Sequence, residues 1–238
     1  MTFDTLKDDL LSGFWAAWPI CLGYVPLGLT LGVLGQKAGL SPVEMAVMSL
    51  FVFAGSSQFI AVAMIMGNAS HMAIIMTTFV VNLRHLLMSS SLSLVLRGKN
   101  RVALTIFSHT ITDESFVINS EKFKQRSWNL RRAVVVNYTA YASWVISTVT
   151  GTYSGRFISE NAFGMDYAMT AMFICLLVMQ LNGRIHVVTG LISGVIAVGT
   201  ALYLPGNWYI IIASVLAATL GSIIRTKSIK PEGHHHDE

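Results

Sequence analysis

The chain has 238 residues, of which 53% are hydrophobic and only 12% charged, with a mean hydropathy of +0.61 and a formal net charge of +4. A soluble domain carries about 25% charged residues, and the apolar residues here come in blocks of about 20, the length that spans a bilayer. The numbers exclude a soluble globular class, and no nucleic-acid partner is expected. The two cysteines, Cys21 and Cys175, both lie in apolar blocks and make neither a disulfide framework nor a zinc site.

Residues 1–12 are acidic and amphipathic, which reads as a helix lying along the interface rather than as a cleavable leader. The first apolar block covers 13–35 and contains Pro19 and Pro26, which bend a spanning helix that neighbours must re-satisfy. Gly28 and Gly32 stand four apart and open one face to close approach by another helix. The second block, 43–66, starts at Ser41-Pro42, read as N-cap and first helical residue. Its middle holds Gly55-Ser56-Ser57-Gln58. Glycine and serine form helix poorly, so an unwound turn fits; an intact helix whose serines bond back to its own carbonyls fits too.

The third block, 72–96, carries Asn82, Arg84 and His85 near its centre. An arginine there cannot snorkel to either interface and cannot lose its charge. It needs a carboxylate, a set of carbonyls or an anionic ligand; the plainer alternative is a buried arginine tying helices together. His85 reads equally as a satisfied ring or as a proton carrier. A basic stretch follows, 97–132. Within it, residues 102–118 are mostly apolar but hold His109, Asp113 and Glu114, which reads as an interfacial or partly inserted helix. Thr112-Asp113-Glu114 either supplies the carboxylate that Arg84 lacks or caps a helix at the water boundary. His109 and Asp113 share a helix face at i, i+4, but no third metal ligand is evident, so no metal and no cofactor are expected.

Later blocks cover 133–152, 167–181, 185–204 and 208–224, with a tight turn at Pro205-Gly206-Asn207. The expected fold is an all-α membrane protein of about seven transmembrane helices. It has an inverted repeat of three plus three, one candidate broken helix and an amphipathic or partly inserted middle segment. As one transporter domain over 1–230 it divides into the interfacial helix 1–12, a first repeat 13–96, the basic connector 97–132, a second repeat 133–204 and an extra span 205–224; a polar tail, 225–238, carries His234-His235-His236. Each triplet opens with a helix bearing a four-spaced glycine pair, and Gln58 has a counterpart in Gln180. Inverted repeats around a discontinuous helix mark transporters. An N-terminus outside and a C-terminus inside put 13 of the 16 Lys+Arg in the cytoplasm, with Lys7 and Arg156 outside and Arg84 in the membrane.

These motifs resemble a known family. Trp18-Pro19 with Leu22-Gly23-Tyr24-Val25-Pro26-Leu27-Gly28, then Phe53-Ala54-Gly55-Ser56-Ser57-Gln58-Phe59, Val81-Asn82-Leu83-Arg84-His85 and Thr112-Asp113-Glu114-Ser115 are similar to the distinctive stretches of the AzlC family, the large subunits of branched-chain amino-acid exporters. The resemblance covers about residues 13–182. It implies a multi-pass protein of the cytoplasmic membrane, export of leucine, isoleucine, valine and sometimes methionine, and a small AzlD-like membrane partner.

A zwitterion needs a donor-rich end, an acceptor-rich end and an apolar pocket. Free N–H groups at Ser56, Ser57 and Gln58, with Arg84, suit the carboxylate; the Gln58 side chain, loosened carbonyls and Asp113 or Glu114 suit the ammonium; Gly55, Asn82 and Gln180 complete the candidate substrate-binding set. Phe51, Phe53, Phe59, Met64 and Met76 are either pocket wall or plain packing. No phosphate-binding lysine loop is present, so no ATPase or other enzyme activity is expected. The groups available for proton coupling are His85, His109, Asp113 and Glu114. The readings set against a transporter are a channel, whose polar breaks would line a pore, and a structural subunit without transport of its own.

Overall fold

The computed structural model describes residues 3–126, 128–158, 174, 178, 184–203, 216 and 219. In chain order the elements are α1 (Phe3–Lys37), α2 (Pro42–Phe51), α3 (Gly55–Met66), α4 (His71–Ser93), α5 (Arg101–His109), α6 (Asp113–Lys124), α7 (Leu130–Ser154) followed by a 3-10 turn (Gly155–Phe157), and α8 (Arg184–Tyr203). The described residues contain no strand. The chain divides into one unit of Met1–Asn68 with Thr78–Asp166 and another of Ala69–Thr77 with Tyr167–Glu238. In the second unit the described elements are the first turns of α4 and the apolar helix α8, which answers to the block at 185–204. By length and apolar composition, two described helices can cross a membrane, over Leu6–Lys37 and His71–Ser93.

The first unit is built on the pair α1 and α7. Their starts meet where Arg132 Nε donates to Asp9 Oδ1 at 2.6 Å and Asn129 Nδ2 lies 3.0 Å from both Asp9 oxygens. Asn129 also caps α7, accepting from the Arg132 N–H. Their ends meet where Lys37 Nζ donates to the Ile158 carbonyl at 3.0 Å. The two helices therefore run parallel. Between these points backbone touches backbone. A Cβ built on Gly32 would fall 2.1 Å from the Thr148 carbonyl oxygen, and one on Gly151 would fall 2.2 Å from the Leu29 carbonyl oxygen. The four-spaced glycines of α1 thus serve the approach expected of them, and α7 is the partner.

Between α1 and α7 the chain makes two interrupted excursions. Helix α2 starts under a Ser41/Glu44 capping box with Pro42 in the first turn, as the sequence indicated. It ends at Phe51, and α3 begins only at Gly55. The helix is therefore broken, but at Val52-Phe53-Ala54 rather than within Gly55–Gln58. Phe53 takes φ +26°, costly for a bulky residue, and is held there by burial and by edge-on contact with the Tyr141 ring at 4.8 Å. Helix continuity would put Ser49 and Gln58 about 13.5 Å apart along the axis. Instead Gln58 Nε2 bonds Ser49 Oγ at 3.0 Å, so the two arms fold toward one another.

The second excursion corrects the reading of 102–118 as one helix. It is two, α5 and α6, divided at Thr110-Ile111-Thr112. Helix α5 starts beside Asp9 and Arg132, in the same cleft wall as Lys99 and Asn100. Helix α6 returns to that end: Phe107, Ile111, Phe123 and Ala133 pack in one core with Leu92 of α4 and Leu96 just beyond it. Asn137 of α7 ties the two arms, donating to the Phe107 carbonyl at 3.3 Å and accepting from Asn119 at 2.9 Å.

This geometry also corrects the charge count along the chain. Lys7, two residues before Asp9, was placed opposite Arg132, yet Asp9 binds Arg132. Lys37 and Arg156 were placed on opposite sides, yet the Lys37 ammonium binds Ile158, two residues beyond Arg156. From the level of Ser56 onward, α4 runs toward the start of α7, antiparallel to α1. Gln180, Cys175, the turn at Pro205-Gly206-Asn207 and the histidine tail lie outside the described residues, as do most of the blocks at 167–181 and 208–224; the seven-span count and the repeat rest on them.

Candidate functional site

The two breaks meet beside the middle of α4. Arg84 stands between them. Its Nη2 donates to Ser56 Oγ at 2.6 Å, in the first turn of α3, and its Nη1 pairs with Asp113 Oδ2 at 2.6 Å, the first residue of α6. Of the partners open to Arg84 from the sequence, the structure supplies a carboxylate, Asp113. The pair is not sealed: the side chains keep 29% and 51% of their accessible surface. Arg84 Nε is buried with no hydrogen-bond partner.

The α3 end is uncapped. Ala54, with no side-chain oxygen, occupies the cap position, and the first intrahelical bond runs from the Gln58 N–H to the Ala54 carbonyl. The N–H groups of Gly55, Ser56 and Ser57 consequently have no acceptor within the helix. Together with the helix dipole they make a weakly positive pole, to which Arg84 adds a full charge. The Ser57 hydroxyl donates to Asn82 Oδ1, fixing α3 against α4. Gly55 sits where it does because the Trp144 ring occupies the space a Cβ would enter, at 3.1 Å.

Helix α6 starts differently. Thr112 and Ser115 form a reciprocal capping box, at 3.3 and 3.0 Å, that satisfies the N–H groups of both residues. The exposed chemistry there is two carboxylates. Asp113 faces Arg84; Glu114 Oε2 accepts from the Tyr24 hydroxyl at 2.7 Å. Thr112 Oγ1 lies 2.8 Å from the same phenolic oxygen. Since Tyr24 has one proton and gives it to Glu114, the Thr112 hydroxyl donates back to Tyr24. Both readings of Thr112-Asp113-Glu114 therefore hold at once: the threonine caps, the aspartate pairs.

The histidines hold the breaks together. His85 Nδ1 donates to the Ile111 carbonyl at 2.9 Å, a group freed where α5 ends, while its Nε2 is buried without a partner. His109 Nε2 donates at 3.2 Å to the Leu50 carbonyl, freed where α2 ends, which also accepts from the Tyr141 hydroxyl at 2.8 Å. Gln58 is 1% exposed and committed to the protein. Trp144 Nε1, a donor only, bonds Gln58 Oε1 at 2.8 Å, which sets the amide orientation; Gln58 Nε2 bonds Ser49, and Ser49 lies 2.9 Å from Thr148 Oγ1. Phe53, Phe59 and Met64 are core, whereas Phe51 and Met76 are exposed.

The structure thus brings together Gly55, Ser56, Ser57, Asn82, Arg84, His85, Asp113 and Glu114, joins His109 to them through the first break, and holds Gln58 behind them. Gln180 lies outside the described residues. Tyr24 and Trp144 were missed. Their signal was an amphipathic ring in an apolar block, and Tyr24 also stands between Pro19 and Pro26. A separate cleft of about 1220 Å³ opens among Asp9, Leu10, Lys99, Asn100, Arg131 and Val135, remote from both breaks. Among the described residues no group of three or more metal-ligating side chains is found.

The model of the AzlC protein family matches residues 19–158, which contain both breaks, Arg84 and Asp113. The chain is 27% identical over 233 residues to the branched-chain amino acid transport protein AzlC of Bacillus subtilis, covering 93% of this chain and 90% of that one. It is 25% identical over 215 residues to the inner membrane protein YgaZ of Escherichia coli, covering 87% and 86%. With a protein of Archaeoglobus fulgidus described as an uncharacterized membrane protein it shares 30% identity over 216 residues, covering 87% and 91%. No solved structure matches the chain. More than half of the sequence fits the family model, and the matches to relatives named as membrane proteins cover most of each chain: the chain is a membrane protein and belongs to the AzlC family.

Proposed function

We propose that this protein is a secondary transporter that exports branched-chain amino acids, leucine, isoleucine, valine and methionine among its substrates, by exchange for protons and together with a small AzlD-like membrane subunit. The observation that carries the reading is the position of Arg84, bound to the uncapped start of α3 on one side and to Asp113 on the other. An amino acid has the same charge pair as Arg84 and Asp113, in reverse. Its carboxylate takes the guanidinium, by a two-pronged contact, and the free N–H groups of Gly55, Ser56 and Ser57. Its ammonium takes Asp113. The substrate replaces the ion pair, so each charge keeps a partner of opposite sign when the pair opens. Asn82 orients Ser57; Gln58 is the scaffold that holds α2, α3 and α7 in register.

Glu114 suits the proton. Protonating Asp113 would strand Arg84, whereas Glu114 touches a neutral hydroxyl and can be neutralised without orphaning a cation. A proton on Glu114 also removes negative charge next to the ammonium. Proton and substrate then disfavour one another, as exchange requires. His85 and His109 act as pins on the freed carbonyls. The end of the α1–α7 pair bearing Lys7, Arg97, Lys99, Arg101, Lys122, Lys124, Arg126, Arg131 and Arg132 faces the cytoplasm, against Lys37 and Arg156 at the other, which puts the N-terminus inside. The name of the Bacillus relative supports the substrate class.

Efflux of labelled leucine from vesicles, with and without a pH gradient and with and without the small subunit, tests the reading. Saturable efflux that the gradient drives is expected; leakage indifferent to leucine concentration would replace the transporter by a channel.

A further inference from the structure

Tyr24 lies outside the group that meets the substrate, yet it is 6% exposed and joined to three elements. On α1 it gives its proton to Glu114 and takes one from Thr112, both at the start of α6. Its ring stands edge-on to Trp144 of α7, with centroids 5.1 Å apart. Trp144 in turn donates to Gln58, in the first turn of α3, and touches Gly55. The contacts form one continuous chain from the carboxylate of the second break to the amide of the first. Every bond in it has its donor assigned, so it has one arrangement while Glu114 accepts. A protonated Glu114 accepts less well, Tyr24 loses its anionic partner, and the ring is free to turn against Trp144.

We propose that Tyr24 is the positioning residue that transmits the protonation state of Glu114 to the α3 pole of the substrate site through Trp144 and Gln58. The inference rests on the proton-exchange reading above and adds the part that links its two poles. The charged and titratable groups around the Tyr24–Glu114 bond are Asp113 beside it on α6 and Arg84 and His85 on α4; from α7 the neighbour is the neutral Trp144. None of the three contacts Tyr24 through a hydrogen bond, so the hydroxyl reports on Glu114.

Transport in vesicles of wild type, Tyr24→Phe, Trp144→Phe, Glu114→Gln and Tyr24→Phe with Glu114→Gln tests it. Tyr24→Phe keeps the ring and removes a hydrogen bond to a charged group, so leucine efflux driven by a pH gradient should fall about tenfold. Leucine–leucine exchange and its KM, which need no proton, should stay within about twofold. The double variant should be no worse than Glu114→Gln alone, since both break one linkage. Trp144→Phe should show the same loss of drive. Unchanged driven efflux in Tyr24→Phe, with Glu114→Gln impaired, overturns the inference and leaves the transporter standing. Equal loss of drive and exchange in Tyr24→Phe makes the residue merely structural and also overturns it. Wild-type drive in Trp144→Phe removes the transmission route. If wild type moves no leucine, or Glu114→Gln keeps full drive, the underlying reading fails and takes the inference with it.

Discussion

The two helix breaks are built from opposite materials. At Val52-Phe53-Ala54 the following helix starts with no side-chain cap, so its first N–H groups are left for something else. At Thr110-Ile111-Thr112 the following helix starts under a capping box that satisfies the Thr112 and Ser115 N–H groups, and its charges, Asp113 and Glu114, define the surface. One break is a donor pole and the other an acceptor pole, and Arg84 has a hand on each. The contrast shows what a second interruption adds: a single half-helix start can hold an anion, and the second break sets a carboxylate against the same guanidinium, which is what the proposed zwitterionic substrate would require.

Substitutions that remove one pole at a time break this comparison most directly. Arg84→Ala removes the charge of the donor pole and leaves Asp113 unpaired; transport should fall about a hundredfold, in keeping with the loss of charge-assisted hydrogen bonds to the substrate carboxylate, while size-exclusion profiles show the protein still folded. Asp113→Asn keeps the shape of the acceptor pole and strands Arg84. It should cost about tenfold to a hundredfold in leucine kcat/KM, and wild-type kinetics in this variant would detach α6 from the site.

Gln58→Ala tests the scaffold behind the donor pole. It leaves Trp144 Nε1 and Ser49 without their partner, so thermal unfolding in detergent should report a loss of about 1–3 kcal/mol. Unchanged stability with altered substrate preference would instead make Gln58 a direct ligand. Thr112→Ala separates capping from charge at the acceptor pole. It should lower stability by about 1 kcal/mol with Asp113 still paired. Ser56→Ala should be the mildest: it loosens one arm of the guanidinium, and a several-fold rise in leucine KM with kcat unchanged is the expected readout, in keeping with the loss of one charge-assisted hydrogen bond.

Much of the site was legible because lipid makes polar residues conspicuous. Arg84 at the centre of an apolar block announces an unmet charge, and Gly55-Ser56-Ser57 announces a weak helix. Asp113 was readable as the partner because so few carboxylates lie near membrane depth. The location of the first break was not readable. The chain gives way at Phe53, a residue with no turn preference, because burial against Tyr141 compensates for its backbone conformation and the glycine and serines are reserved for the helix start. Gln58 was assigned to the substrate because a polar amide in an apolar run looks available; only the neighbouring Trp144 and Ser49, 86 and 9 residues away, reveal that it is occupied.

Composition alone is enough to put this chain in a membrane, to mark where helices can touch at glycine, and to flag a guanidinium in an apolar block that needs a carboxylate, carbonyls or an anionic ligand. These follow from local composition and from the cost of unpaired polar groups in lipid. It took the folded chain to reveal that 43–66 is broken at 52–54, that 102–118 is a pair of helices meeting it, and that α1 and α7 lie parallel. Those outcomes depend on contacts between residues more than a hundred positions apart, such as Asp9 with Arg132 and Lys37 with Ile158, and no periodicity or count along the chain contains them.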